Sequence, residues 1–368
     1  MTRIALLAFA AAALVAGCGG SADQTLPPEL VTLRPAGTAG PLVGVDAPSG
    51  TERFAVHDGV ASADGSRYYA TFESPSGTEL RAYRPATARL VSTARIGGTW
   101  RASAVSADGR FVALSGRPRG GRSTFAVHEA GAPLHVIELA GRFAVDGLAP
   151  DGSALFLVER FADGRYAVRY YDLAEDRLHT ESIRVKNEQE QMSGLPGQQV
   201  ATPDGTWLLT LFTNTEERKA FVHALNLRQR YALCLDLPGA GDVASLRGYG
   251  LALTPRGDAL FAPNPALGVV ARLDLAEPGR MDTASFAGAS GRGSTASAVS
   301  RDGRTVYFAR DGRLWAYDAA YSLVRGPYPL AAGGPRLAFS PDGRRLYALA
   351  ADGRLVAFDA ATGKRLAA

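Results

Sequence analysis

The chain has 368 residues, 46% of them hydrophobic, and a formal net charge of +4 from 40 basic and 36 acidic side chains. This near balance of charge gives no support to a nucleic-acid partner, and the length suffices for one large core or two ordinary domains. Only two cysteines are present, Cys18 and Cys234, which excludes a framework of several disulfides. Cys234 lies in a strand-like run, residues 231–237, where we expect it to be a small packed hydrophobe.

The first eighteen residues predict export. Arg3 precedes an apolar run, residues 4–16, that is shorter than the roughly 20 residues a spanning helix needs. The stretch Leu-Val-Ala-Gly-Cys at residues 14–18 resembles the lipobox of bacterial lipoproteins. The resemblance implies a signal peptide over residues 1–17, a lipid on Cys18, and a location at the cell membrane on its extracytoplasmic side. An ordinary cleaved signal peptide and a buried N-terminal helix remain as alternatives.

Residues 18–28, which include Pro27 and Pro28, are predicted to be a tether between the membrane and the folded part. Residues 29–368 are then predicted to be a single domain.

A turn pattern, most often ending in Pro-Asp-Gly or Ala-Asp-Gly, recurs along that domain. Its third positions are Asp64, Asp108, Asp151, Asp204, Arg256, Asp302 and Asp342. They are separated by 40 to 53 residues, which is the period of the blades of a β-propeller. In such a turn the aspartate can accept hydrogen bonds from the backbone ahead of it, and the glycine tolerates a positive φ.

Each repeat predicts four short strands. One apolar run precedes the turn, a second follows it, a third often ends in an aromatic residue and aspartate, and a looser fourth run closes the unit. Such a sheet cannot bury both faces alone, so we predict an all-β fold, a seven-bladed β-propeller of four-stranded antiparallel blades. The blades are predicted near residues 58–97, 101–140, 143–185, 198–238, 249–287, 296–330 and 336–368.

The last unit is short, because its fourth strand could only be residues 365–368. A ring must close to remove its open edges. We therefore expect one of two N-terminal apolar runs, residues 30–34 or 42–46, to pair with the last blade as the closing strand.

Residues 340–349, Ser-Pro-Asp-Gly-Arg-Arg-Leu-Tyr-Ala-Leu, carry the clearest family signal. The segment resembles the repeats of bacterial WD-like, YVTN-type and Tol-translocation propellers, and the resemblance extends over about residues 58–368. The Trp-Asp and Gly-His dipeptides of eukaryotic WD repeats are absent, which places the chain nearer the bacterial relatives. The resemblance implies the propeller fold and leaves function open, because those relatives include lactonases as well as peptide- and protein-binding modules.

Short catalytic and metal-binding motifs are missing from the sequence. The five histidines are His57, His128, His135, His179 and His223. None lies in a His-Glu-x-x-His motif, and no phosphate loop or nucleophile elbow is present. Residues 357–367 resemble the blade-packing motif of quinone-dependent dehydrogenases, but Ala367 stands where that motif ends in Trp. We therefore expect neither a cofactor nor a metal.

Three irregular segments join one blade to the next: residues 186–197, 238–248 and 288–294. Loops that differ between repeats carry specificity, so we expect these segments to gather on one face and form a binding surface. The candidate binding residues on them are Lys186, Asn187, Glu188, Met192, Arg247 and Arg292.

Two functional hypotheses follow. The first is an envelope interaction module that holds a protein, peptide or glycan at the membrane surface. The second is a lactonase-like hydrolase, which would need ionisable residues from several first strands to converge at the channel mouth. His57 and Asp146 are the only candidates for that role. The lack of a catalytic motif favours the first hypothesis.

Overall fold

The computed structural model describes residues 29–33, 38–47, 49–181, 183, 192–288, 295–330, 336–349 and 354–366. Within these ranges the chain forms 29 β-strands and one short helix, α1 (Val243–Leu246). The strands form seven antiparallel sheets that follow one another in chain order. The predicted all-β, seven-bladed propeller is therefore confirmed.

The strands have the following bounds. The first sheet contains β1 (Glu29–Leu33), β2 (Ala39–Ala47), β3 (Glu52–Ala61), β4 (Tyr68–Ser74), β5 (Gly77–Arg84) and β6 (Arg89–Ile96), of which β3–β6 are blade 1. Blade 2 has β7 (Trp100–Val105), β8 (Phe111–Gly116), β9 (Arg122–Glu129) and β10 (His135–Ala140). Blade 3 has β11 (Phe143–Leu148), β12 (Ala154–Arg160), β13 (Tyr166–Asp172) and β14 (Arg177–His179). Blade 4 has β15 (Leu195–Ala201), β16 (Trp207–Asn214), β17 (Lys219–Asn226) and β18 (Tyr231–Asp236).

The remaining blades are built in the same way. Blade 5 has β19 (Ala252–Leu253), β20 (Ala259–Asn264), β21 (Val269–Asp274) and β22 (Met281–Ser285). Blade 6 has β23 (Ala296–Val299), β24 (Thr305–Arg310), β25 (Arg313–Asp318) and β26 (Leu323–Pro329). Blade 7 has β27 (Arg336–Phe339), β28 (Arg345–Leu349) and β29 (Leu355–Asp359).

The repeated turn joins the first and second strands of the blades and has the predicted chemistry. In five blades a Ser or Thr two residues before the aspartate donates its hydroxyl to the carboxylate, over 2.5 to 2.7 Å. The turn glycines all have φ between +70° and +75°, a conformation that favours glycine over other residues. Blade 5 keeps the bond although Arg256 replaces the aspartate, because the Thr254 hydroxyl donates to Asp258 at 2.6 Å.

The core lies between neighbouring blades. Blades 4 and 5 share one apolar cluster, to which each contributes fully buried leucines such as Leu209 and Leu260. Equivalent clusters lie between blades 1 and 2, 2 and 3, 3 and 4, 5 and 6, and 6 and 7. Each sheet thereby buries its two faces against two neighbours, as stacking around an axis requires.

Blades 7 and 1 meet through the N-terminal strands. Leu33 of β1 and Val43 of β2 belong to the cluster that contains Tyr347 and Leu355 of blade 7. The other side of β2 joins blade 1, where Leu42 packs in a cluster with residues of β3, β4 and β5. The two strands therefore fill the last interface of the ring.

The predicted pairing of an N-terminal strand with the last blade is not what the described residues show. The backbone of β1 pairs with β2, and β2 pairs with β3 of blade 1. The outer edge of β29 pairs instead with the C-terminal residues, through a bridge between Phe358 and Arg365. At the place of the predicted fourth strand, residues 365–368, the described part shows only this single bridge at Arg365, and residues 367–368 lie outside it. Because β29 finds its partner in its own blade, the N-terminal strands close the ring by side-chain packing.

We expect Leu33→Ala to lower the free energy of unfolding by about 2–5 kcal/mol, the usual cost of emptying a buried leucine site. Leu33 is fully buried at the interface that closes the ring. The matched control is Leu323→Ala, since Leu323 is 52% exposed on the outer strand of blade 6. Urea unfolding of both variants measures the difference. Equally small losses would show that the N-terminal strands are not needed for closure.

Candidate functional site

A cavity of about 1150 Å³ lies at the centre of the ring. Its wall is made mainly by the first strands of blades 3, 4, 6 and 7, by residues at the first strands of blades 1 and 5, and by the start of β2. Residues of β12, β13 and β16 also contribute to it. Most of the lining residues are Ala, Gly, Val, Leu, Pro or Phe. Small side chains leave space along the axis, so the cavity can hold a ligand of moderate size.

Asp146 brings a carboxyl group into this apolar wall. The pairing of β11 with β12 shifts between Val145 and Gly147, so that Asp146 is an extra residue in the strand. Such β-bulges change the direction of a side chain, and here the bulge places Asp146 on the cavity. Gly147 permits the local approach of blade 4, since a Cβ at this position would lie 2.9 Å from Leu208 Cδ2.

The Gln199 side chain holds the Asp146 carboxylate, and Thr38 and Thr210 hold Gln199. The Gln199 amide nitrogen donates to Asp146 Oδ1 at 3.0 Å and to Thr210 Oγ1 at 3.0 Å. The Gln199 amide oxygen accepts the Thr38 hydroxyl at 2.8 Å. Both the nitrogen and the oxygen of the Gln199 amide are therefore engaged, and its role is to fix the carboxylate. Gln199, Thr38 and Thr210 were not identified from the sequence.

Burial raises the pKa of Asp146 to about 6, against the weaker lowering effect of its hydrogen bond from Gln199. No described residue forms an ion pair with Asp146, and the described side-chain donor Gln199 binds only one of its carboxylate oxygens. At neutral pH the site therefore presents mostly a negative charge with one oxygen open to the cavity.

Arg160, Tyr166 and Arg336 are the other ionisable side chains on the described cavity wall. Arg160 ends β12, Tyr166 begins β13 and Arg336 begins β27, which puts them toward the face where the first strands begin. The ring of Tyr166 stacks on Phe212 with 5.1 Å between centroids. This end of the cavity is thus aromatic and basic, whereas Asp146 lies farther along β11.

Of the six predicted binding residues, two are described. Met192 pairs through its backbone with Tyr166, and its side chain packs against the cluster between blades 3 and 4. Arg247 is exposed and caps the C-terminus of α1, where its backbone NH donates to Val243 O. The remaining four lie outside the described residues: Lys186, Asn187, Glu188 and Arg292. Whether these residues bind a partner stays a prediction.

Met192 and Arg247 both precede a first strand, and such positions lie on one face of a propeller ring. Met192 lies beside Tyr166, which lines the cavity, so this one described residue of the predicted surface is next to the cavity wall.

His57 and Asp146, the two residues considered for a hydrolase, are not brought together. Asp146 lines the cavity, whereas His57 is exposed on β3 and is not part of its wall. His223 is buried between β16 and β18, and burial lowers its pKa to about 4, as a neutral packed histidine requires. Cys234 lies 3.8 Å from the His223 ring, in the strand position expected for a packed thiol.

One group of described residues has the donor types of a metal site: Asp172, Glu175 and His179 on blade 3. Asp172 already accepts two backbone NH groups and an Arg230 guanidinium at 3.2 Å. Glu175 is paired with Arg177 at 2.6 Å. Arg230 and Arg177 therefore already supply the positive charge that a metal ion would bring to Asp172 and Glu175. We assign no metal to this group.

No protein-family model and no curated sequence matches the chain. Among solved structures, apo AztD from Citrobacter koseri is similar with a TM-score of 0.56 at 12% identity, over 92% of this chain and 93% of that chain. The dihydro-heme d1 dehydrogenase NirN in complex with DHE matches with a TM-score of 0.55 at 16% identity, over 94% of this chain and 73% of that one. The Dos1 propeller has a TM-score of 0.53 at 11% identity, over 88% and 86%. At these identities the similarity shows the fold alone: the chain is a seven-bladed β-propeller.

We expect Asp146→Asn to stabilise the protein above neutral pH. A folded-state pKa of about 6 exceeds the roughly 3.9 of an unfolded aspartate, so this group costs stability as the pH rises from 4 through 6. The variant removes the buried charge and keeps an acceptor for Gln199. Its gain in unfolding free energy should grow from near zero at pH 4 to about 2–3 kcal/mol above pH 7.

Urea unfolding across this pH range measures that gain. The matched control is Asp282→Asn at an exposed site on β22, where the loss of a surface ion pair with Arg272 at 3.5 Å should cost less than about 1 kcal/mol. A gain in Asp146→Asn that does not depend on pH would contradict the assignment of a raised pKa.

Proposed function

We propose that this chain is an extracytoplasmic lipoprotein, anchored through Cys18, whose propeller is a binding module. The observation that supports binding is the central cavity of about 1150 Å³, whose wall is mainly apolar and carries one fixed carboxylate. Ligand sites in proteins are typically concave and mostly apolar, with few convergent polar groups. The cavity has that composition.

The hydrolase hypothesis finds less support in the same place. Its requirement was several ionisable groups converging at one mouth. The described wall carries Asp146, Arg160, Tyr166 and Arg336, without a histidine, and Asp146 is apart from the other three along the axis. A single carboxylate without a described catalytic partner fits recognition better than chemistry.

The anchoring part of the proposal rests on the sequence. Residues 1–28 contain the apolar run and the lipobox-like segment, and they lie outside the described residues. Among the residues that are described, no helix is long and apolar enough to cross a membrane. The likeness of the repeat to bacterial WD-like and YVTN-type propellers supports an envelope role of this kind.

The partner is proposed to be a protein, peptide or glycan held on the face where the first strands begin. In support, Met192 and Arg247 each precede a first strand, and Arg160 and Arg336 of the cavity wall lie toward the same ends of the strands. A rim of basic side chains and irregular segments around an apolar cavity offers both orientation and contact area.

Cys18→Ser should abolish lipid attachment. In a bacterial host fed an alkyne fatty acid, the chain should incorporate the label, and the variant should lose it and leave the membrane fraction. Cys234→Ser is the matched control, because Cys234 lies inside blade 4 and should leave labelling unchanged. Equal labelling of the parent chain and Cys18→Ser would overturn the anchor.

Exchange of residues 186–191 for a Gly-Ser segment should abolish capture of the partner. The measurement is crosslinking of the tagged, full-length chain in its native host, read out by mass spectrometry. The matched control exchanges residues 320–322, a turn on the opposite face that carries Tyr321, 79% exposed. If the first exchange retains the partner and the second loses it, the binding surface lies on the opposite face and the proposal is wrong.

A further inference from the structure

We propose that the central cavity binds a small organic cation, an ammonium group on an apolar body, with Asp146 as its counter-ion. This inference rests on the proposed binding function and names the chemical class of the ligand. It is carried by the arrangement of the carboxylate within the cavity.

The Asp146 carboxylate is held in one orientation, and only one of its two oxygens has a described hydrogen-bond partner. Gln199 holds Asp146 Oδ1, and Gln199 is itself held by Thr38 and Thr210. A carboxylate orientated in this way loses little freedom when a ligand arrives. Its second oxygen has no partner among the described residues, so it can accept a hydrogen bond from a donor in the cavity.

A charged carboxylate without a cation is costly inside a protein. The described residues that share the space next to Asp146 are uncharged: β7 offers Ala104 and Val105, β15 offers Gln199, and the others are Ala, Gly and Leu residues of blades 1 to 4. Neither these nor the N-terminal Thr38 supplies a positive charge. A ligand cation would therefore supply the positive charge that the described residues around Asp146 lack, through a charge-assisted hydrogen bond.

The residues that line the cavity indicate the chemistry of the remaining part of the ligand. Ala144, Val145, Leu251 and Ala296 offer contact to apolar atoms, and Thr, Ser and Gln side chains of the same wall offer hydrogen bonds. An apolar body next to the ammonium group would displace water from this surface. Arg160 and Arg336 lie toward the end of the cavity where the first strands begin, so a cation is drawn to the Asp146 region and away from that end.

The test uses three probes with the same ring and different charge: benzylammonium, benzyl alcohol and benzoate. Each is titrated into the purified full-length chain and followed by calorimetry or ligand-observed NMR. Benzylammonium should bind about ten-fold or more tightly than benzyl alcohol, and benzoate should bind least, because only the ammonium forms a charge-assisted bond.

Asp146→Asn should remove the preference for benzylammonium, and the matched Asp282→Asn variant should keep it. Far-UV circular dichroism and thermal unfolding confirm that the variant is folded, which is expected because Asn keeps the acceptor for Gln199. In the parent chain, benzylammonium affinity should fall about ten-fold from pH 8 to pH 5, as the carboxylate is protonated. The other ionisable side chains on the described cavity wall are Arg160, Tyr166 and Arg336.

Equal binding of the three probes, preference for benzoate, or absence of binding would each overturn the cation assignment. So would a preference for benzylammonium that survives in Asp146→Asn. None of these outcomes decides the proposed binding function. The crosslinking experiment tests that function, with a readout that does not depend on the charge of the cavity. A captured partner with no ammonium preference would thus reject the inference alone.

Discussion

Apolar packing between adjacent sheets is the interaction on which the remaining structure depends. A four-stranded blade has two faces to cover, and each cluster of buried residues in this chain joins one blade to the next. The arrangement works only if the first and last blades also meet. In this propeller the last gap is filled by β1 and β2, which add their own apolar faces to blades 1 and 7. The central cavity exists because the ring is closed in this way around small inner residues.

The repeat made the blades predictable because its physical requirements are local. A Ser or Thr, an Asp and a Gly at fixed spacing are sufficient for the turn, and alternating apolar residues define the flanking strands. Even blade 5, where Arg256 breaks the pattern, retains the turn through Asp258. The number of blades and their four-stranded design follow from counting these units.

The closing arrangement could not be obtained from the sequence, because both N-terminal runs are compatible with pairing to either neighbour. Which edge a strand joins depends on contacts distant in sequence, such as those of Leu33 with the blade 7 cluster. Asp146 was noticed as an ionisable residue in a first strand, but its network was not. The Asp-Gly pair inside a strand, rather than in a turn, was the available signal of a bulge. Gln199 and Thr38 come from other parts of the chain and carried no such signal.

Thr38 lies at the start of the hairpin strand that helps close the ring and also contacts blade 4. Its backbone NH donates to Gln199 O at 2.9 Å, and its carbonyl accepts from the Ala61 NH at 2.9 Å. Blades 1 and 4 are three positions apart, so this residue spans the axis of the ring. A pulling force on the N-terminal end would therefore reach the cavity wall within a few residues of β1. Conversely, an occupant that displaced Gln199 would loosen the same connection, so that filling the centre of the ring would alter the packing of the hairpin that closes it.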